Sequence, residues 1–312
     1  MAATVAERIV LPRALRAGDR VAVVAASGVV DRDRLAEGVR LLESRGFEVG
    51  MPPARDPYRC LAASDDERRA DLLAALGDPA VRAVWCARGG YGMVRLLPGL
   101  DPAWLRAHAK LVIGYSDATA LLARLVSAAG VAAIHGPMVA SDLPRQAEAG
   151  ALDHLLALAS GDASWRIPVE RAIVPGDVVA PALGGCLTVL ASLAGTPFAP
   201  RFAGTIALFE DVAERPQRRI DRMLLQLRQS GMLDGVRGIA FGTMLDCGEA
   251  EEICRTIEDG LADLGVPIGF GAPVGHGPVN FAVPLGVRLR LRLAPGPNGA
   301  AGALEGVDPA VS

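Results

Sequence analysis

The feature that most constrains this chain is the alternation, through its first half, of short apolar runs with helix-patterned segments. VAVVAAS (21–27) is a β-rich run ending at Ser27-Gly28, and the segment after it carries Leu35, Val39 and Leu42 at helical spacing until Gly46. SDDERRADLLAALGD (64–78) reads as a helix opened by a capping box of Ser64 and Glu67. AVRAVWCA (80–87), KLVIGY (110–115) and VAAIHGP (131–137) read as strands, and DPAWLRAH (101–108) and DATALLARLVSAAG (117–130) as the helices between them. Strands separated by helices imply an α/β fold with a parallel sheet and right-handed crossovers, whose ligands gather at the carboxyl ends of the strands. Each polar loop of interest lies at such an end: Ser27-Gly28, Arg88 to Gly92, Tyr115 to Asp117, and His135-Gly136.

Between about 140 and 180 the pattern loosens, and a linker is expected there. The division that follows is an N-terminal α/β domain over 1–165 and a smaller C-terminal domain over 166–312. In the second part, helices are expected at 186–195 and 217–231 and strands at 204–210, 238–244 and 287–294, the last alternating as a half-exposed strand does. The tail from Ala294 is turn-rich. With 51% hydrophobic and 21% charged residues the chain can bury a sizeable core. A net charge of −3 with both signs scattered, and no basic block, speaks against nucleic acid as a partner. Five cysteines without a CxxC pair offer neither a disulfide framework nor a thiolate zinc site, so a reducing cytoplasm fits best. No apolar stretch is long enough for a membrane span, and residues 1–20 lack the apolar core of a secretory signal.

Candidate chemistry centres on Ser116, which lies between a β-run and a helix with Gly114 two before it and Ala118 two after. A nucleophile elbow needs small residues there, because strand and helix pack closely behind a tight turn. The following helix start would offer the Asp117 N–H to a developing oxyanion. A plain helix cap by Ser116 or Asp117 fits the same residues and is their commoner use. A serine nucleophile requires a base oriented by a carboxylate. Of the four histidines, His108 and His154 lie on polar helical segments and are expected to be solvated, His135 shares the sheet edge of Ser116, and His276 is bracketed by Gly275 and Gly277. Glu210-Asp211 closes an apolar strand, although pairing with Arg215, Arg218 or Arg219 would account for these acids equally well. The glycine-rich loop RGGYG (88–92) lacks the third glycine of a dinucleotide fingerprint, and no GK[ST] is present. Its amides near Gly90 suit a second oxyanion donor, with Arg88 or Arg95 beside a substrate carboxylate. HExxH and any dense Asp/His cluster are missing from the sequence, so a metal site is not expected.

Taken in order, SDDERRADLLAALGDPAVRAVWCARGGYG, KLVIGYSDATAL, HGP, GGCLTVLASLAGTP, LFEDVAERPQRRIDRMLLQL and PVGHGPVNFAVPLG resemble the LD-carboxypeptidase family, over about residues 10 to 290. That family comprises serine peptidases acting on murein tetrapeptides and also contains the microcin C immunity hydrolases. The resemblance implies Ser116 as nucleophile, Glu210 as orienting carboxylate and His276 as general base, with the amides of Gly90 and Asp117 as oxyanion donors. It implies an amidotransferase-like N-terminal parallel-sheet domain, a swivelling barrel-like C-terminal domain, and a site at their interface. Two departures stand out: Gly184-Gly185-Cys186 where the family usually has GGN, and Ala26-Ser27-Gly28 in place of the usual Pro-Ser. The implied reaction is removal of the terminal D-alanine of a small murein peptide in peptidoglycan recycling, without cofactor, nucleic acid or membrane. A peptidyl-nucleotide hydrolase keeps the chemistry and changes the substrate, while a non-catalytic ligand-binding module keeps only the fold. Whether the chain forms a homodimer is left open by the sequence.

Overall fold

The computed structural model describes residues 9–146, 150–294 and 302–312 and contains two sheets. The first has six strands in the order Val283–Leu285, Ala133–His135, Leu111–Gly114, Val81–Cys86, Arg20–Val24 and Glu48–Gly50. The five drawn from the first half run parallel, as the alternation implies, and Val283–Leu285 adds antiparallel to Ala133–His135. The strands are apolar along their length because helices cover both faces, and Val84, Trp85, Val112 and Ile113 have no exposed surface. Helix Asp65–Gly77 begins with the expected capping box, Ser64 and Glu67 each bonding the other's backbone. The segment expected as one helix from 117 to 130 is a 3-10 turn (Ser116–Ala118), a short α-helix (Thr119–Ala123) and a π-helical turn (Arg124–Ala129), closed by Gly130 in the left-handed region.

The second sheet has eight strands in the order Arg166–Val169, Gly302–Gly306, Arg288–Leu293, Gly176–Cys186, Ile206–Val212, Gly238–Leu245, Ile268–Phe270 and Arg171–Val174. Its two edge strands are consecutive in the chain and joined only by Glu170. An eight-stranded sheet whose opposite edges lie one residue apart must curl toward itself, which accounts for a barrel-like form without a ladder between the edges. The linker expected over 140–180 is corrected here. It holds helices Leu143–Gln146 and Ala151–Ala159 and three strands of this sheet. Pro168, Pro175 and Pro181 break the periodicity there: Pro168 lies on an edge strand, where one side of the backbone is unpaired, Pro175 lies between two strands, and Pro181 falls where Gly176–Cys186 passes from pairing with Arg288–Leu293 to pairing with Ile206–Val212. The turn-rich tail is corrected in part as well. Gly302–Gly306 pairs with Arg288–Leu293, while residues 295–301 lie outside the described residues. No helix among the described residues is long and apolar enough to cross a membrane.

The sheets meet through the carboxyl ends of Leu111–Gly114 and Gly176–Cys186. Gly185 lies so close to Thr119 that a Cβ there would sit 2.4 Å from the threonine Oγ1, and its φ of +142° further disfavours a side chain. Next to it, the Cys186 amide donates to Thr119 Oγ1 at 3.0 Å. This contact brings the end of Ile206–Val212, paired alongside Gly176–Cys186, up to the first sheet.

Candidate active site

Ser116 follows strand Leu111–Gly114 through Tyr115, which is still extended, and then turns sharply with φ +59°. A left-handed serine stores strain of about 1 kcal/mol or more, and the surrounding packing enforces it. Small residues make the turn possible: a Cβ on Gly114 would lie 3.0 Å from both Ala118 Cβ and Cys86 Sγ. Gly89 is pressed against the serine itself, since a Cβ there would lie 2.8 Å from Ser116 Oγ. The Asp117 side chain, buried at the start of the helix, accepts from the Met93 amide at 2.8 Å and so pins the 88–92 loop beside the elbow. Burial pushes its carboxyl above the usual range, against the hydrogen bonds from Ser27 and Met93 that favour the charge.

Glu210 is delivered by strand Ile206–Val212, with Cα register to Cys186. Opposite it, strand Gly238–Leu245 carries one extra residue between Phe241 and Met244, a β-bulge that re-aims neighbouring side chains. Glu210 and its neighbour Asp211 are both buried. Neither takes Arg215, Arg218 or Arg219 as a partner; Arg215 meets Asp246 and Arg219 meets Glu214. Asp211 instead accepts from the Thr188 amide at 2.8 Å and its hydroxyl at 2.7 Å, with Cys186 Sγ 3.6 Å from its other oxygen. Burial raises the Asp211 carboxyl to about 6, and it places the Cys186 thiol well above its ordinary value.

His276 completes the arrangement. Its Nδ1–H donates to Glu210 Oε2 at 2.6 Å, and Ser116 Oγ lies 3.0 Å from its Nε2. The backbone must pass close to the acid: Gly275 has φ +101°, and a Cβ there would fall 2.3 Å from Glu210 Oε2. The Gly275 amide is held by Asn280 Oδ1 at 2.8 Å. Burial alone would raise the Glu210 carboxyl, but His135 and His276 outweigh it and bring it down to about 2. Burial opposes charging His276, yet the Glu210 hydrogen bond and the charges of Glu210, Asp211 and Asp142 carry its pKa above the ordinary histidine value.

Ser116, Glu210 and His276 are thus within one hydrogen-bonded chain, although Ser116 follows a strand of the first sheet, Glu210 lies in the second, and His276 is on the loop that runs from the second sheet back to the first. Such a chain can remove a proton from serine, hold the resulting imidazolium and return the proton to a leaving group. The amides of Gly90 and Asp117 donate to no other group among the described residues. Gly89 O accepts from Gly28 N and Arg88 Nε, which turns the Gly90 N–H to the other side of that peptide. Arg88 is exposed, with Nη1 on Val29 O at 2.8 Å. Arg95 is removed from consideration as a carboxylate ligand, because Asp65 occupies its Nε and Nη2 at 2.6–2.9 Å. His154 is not solvated as expected; it is half-buried with Nε2 2.9 Å from Ala282 O, whereas His108 stacks on Trp104.

Four further residues surround the chain, of which the sequence marks Tyr115 and His135 only as lying at strand ends and assigns a role to none. Tyr115 packs its ring 4.9 Å from His276 and donates its hydroxyl to Asp142 at 2.9 Å. His135 places Nε2 3.7 Å from Glu210 Oε1. The position of Tyr115 beside the elbow and of His135 at a strand end were available signals. Asp142 and Asn280 offered none beyond their sequence context.

Comparison with known proteins assigns the class. Models of the LD-carboxypeptidase N-terminal and C-terminal domains match residues 21–136 and 179–291. The chain is 36% identical over 285 residues to the murein tetrapeptide carboxypeptidase of Pseudomonas aeruginosa, covering 86% of this chain and 91% of that one. The crystal structure of a muramoyltetrapeptide carboxypeptidase from Oxalobacter formigenes superimposes with a TM-score of 0.81 at 31% identity, covering 93% of this chain and 99% of that one. An MccF-like protein from Bacillus anthracis shares the fold, with a TM-score of 0.83 at 24% identity over 95% and 99% of the two chains. The protein is a two-domain α/β peptidase. It belongs to the LD-carboxypeptidase family.

Proposed function

We propose that this protein is a cytoplasmic serine-type carboxypeptidase that removes the terminal D-alanine from murein tetrapeptides through an acyl-enzyme. The observation that carries this reading is the unbroken path from Ser116 Oγ through His276 to the buried Glu210 carboxylate, at 3.0 and 2.6 Å. The names of the Pseudomonas and Oxalobacter relatives support the substrate class. In this reading Ser116 Oγ attacks the amide carbonyl before the terminal residue while His276 takes its proton. Glu210 holds the imidazole tautomer and balances its charge. The amides of Gly90 and Asp117 receive the oxyanion, at about 3 kcal/mol each for a well-placed donor. His276 then protonates the departing amine, and water releases the peptide. Arg88, at the rim of the same loop, receives the substrate's terminal carboxylate.

Trp165 weighs against the nucleotide-conjugate alternative. It is buried beside His154 and so is not available to stack a base. The test is incubation with murein tetrapeptide, and separately with an aminoacyl-nucleotide conjugate, with mass spectrometry of the products. D-Alanine release from the peptide supports the proposal. Cleavage of the conjugate alone would transfer the site to the immunity-hydrolase reaction, and a folded protein active on neither overturns the hydrolase reading.

The base must be neutral to act, and His276 is held above its ordinary value of 6.5. The kcat/KM profile is therefore expected to fall on the acid side with a midpoint above 6.5, a limb measurable by initial rates from pH 5 to 9.

A further inference from the structure

Beside the hydrogen-bonded chain lies a second imidazole for which that chain has no use. His135 ends strand Ala133–His135, has no exposed surface, and pairs in register with Gly114 and Val283. Neither of its ring nitrogens has a hydrogen-bond partner among the described residues. The atom nearest to a partner is Nε2, which faces Glu210 Oε1 across 3.7 Å, and that oxygen is likewise buried without a partner. Interiors seldom leave two complementary polar atoms unpaired face to face, and a closure of about 1 Å would bring them to hydrogen-bond distance.

The surroundings narrow the role. The titratable groups around Glu210, His276 and His135 are Tyr115, Asp142, Asp211 and Cys186, with the exposed Arg145 beyond Asp142 and committed to it at 3.2 Å. Asp142 and Asp211 are carboxyl groups already engaged, by Tyr115 and by Thr188. The Tyr115 hydroxyl is committed to Asp142, and the Cys186 thiol lies toward Asp211. Among these groups, His135 alone has an N–H to offer to Oε1.

We propose that His135 is a positioning residue, donating from Nε2 to Glu210 Oε1 so that the carboxylate keeps Oε2 on His276 throughout the reaction. The inference rests on reading the site as an acyl-transfer centre. A carboxylate bonded at both oxygens cannot swing away when His276 loses its proton. A donor on Oε1 also draws charge from the carboxylate and restrains the basicity of His276.

Replacement by leucine removes the donor, and replacement by glutamine restores an N–H near the same point. For His135→Leu the expected result is a kcat lower by roughly tenfold or more, as for other partners that orient a catalytic ligand, with KM little changed. The acid limb of kcat/KM should move to higher pH by about half a unit or more, because the carboxylate has become the stronger acceptor. His135→Gln should return both toward the wild type. An acid limb unmoved in both variants, or equal impairment of both, overturns the proposal in favour of packing alone. Should the leucine variant fail to fold, nitrogen-15 spectra of the imidazoles in the wild-type protein decide. His135 protonated at Nε2 and bare at Nδ1 supports the proposal, and the opposite tautomer overturns it. Because the tautomer is read without turnover, an enzyme inactive on murein peptide would sink the proposed reaction and still leave the role of His135 decided.

Discussion

Ser116→Ala is expected to lower kcat on murein tetrapeptide by about 10³-fold at the least and up to ~10⁶-fold, the range seen when a triad nucleophile is removed. The fold should survive, since among the described residues the hydroxyl makes no hydrogen bond besides that to His276. Its companion, Ser116→Gly, is informative in the opposite direction. The serine holds φ +59°, where a Cβ is strained and glycine is not. The glycine variant should be as inactive as the alanine one, yet more stable than wild type by ~1 kcal/mol in urea unfolding. Greater stability with lost activity would show that the elbow stores strain for the sake of presenting Oγ. Turnover by Ser116→Ala would rule out the acyl-enzyme.

Glu210→Gln carries the second large effect, a loss of about 10⁴ in kcat, because an amide can hold the imidazole in the wrong tautomer and cannot balance its charge. The acid limb of kcat/KM should also move to lower pH, since the hydrogen bond and charge that raise His276 are gone. Stability supplies an independent reading. The Glu210 carboxyl lies at about 2 in the folded chain, below its ordinary 4.5. A depressed pKa contributes stability that is present above the unfolded value and lost as pH falls through the folded one. The stability of wild type relative to Glu210→Gln should therefore decline between pH 4.5 and about 2, as followed by chemical unfolding at each pH.

The fold of the first half was legible because its signals are local. Helix Asp65–Gly77 announces itself by a cap and a period, and strands such as Val81–Cys86 by apolar runs too short for helices. Strands 166–169 and 302–306 are not legible because a proline or glycines interrupt them, 171–174 because it is only four residues long and stops at Pro175, and all three are held by neighbours far along the chain. Gly114 and Ala118 permit an elbow, but on local sequence a helix cap is the commoner use of Ser116 and Asp117, and the left-handed φ of Ser116 is what distinguishes the two. The clustering of Ser116, Glu210 and His276 was reached through family resemblance, since no spacing rule joins residues 160 positions apart.

What the sequence by itself determined was the set of local structures: the parallel layering of the first sheet, the small residues that permit a tight turn at Ser116, and the acid at the mouth of an apolar strand. Periodicity, caps and small residues act within a few positions, so they can be read from a line of letters. Only the tertiary structure decided that the strand Val283–Leu285 returns to the first sheet, that Arg95 is taken up by Asp65, and that His135 faces the second oxygen of Glu210. These depend on which surfaces meet when the two sheets pack, and contacts between distant segments leave no local period behind.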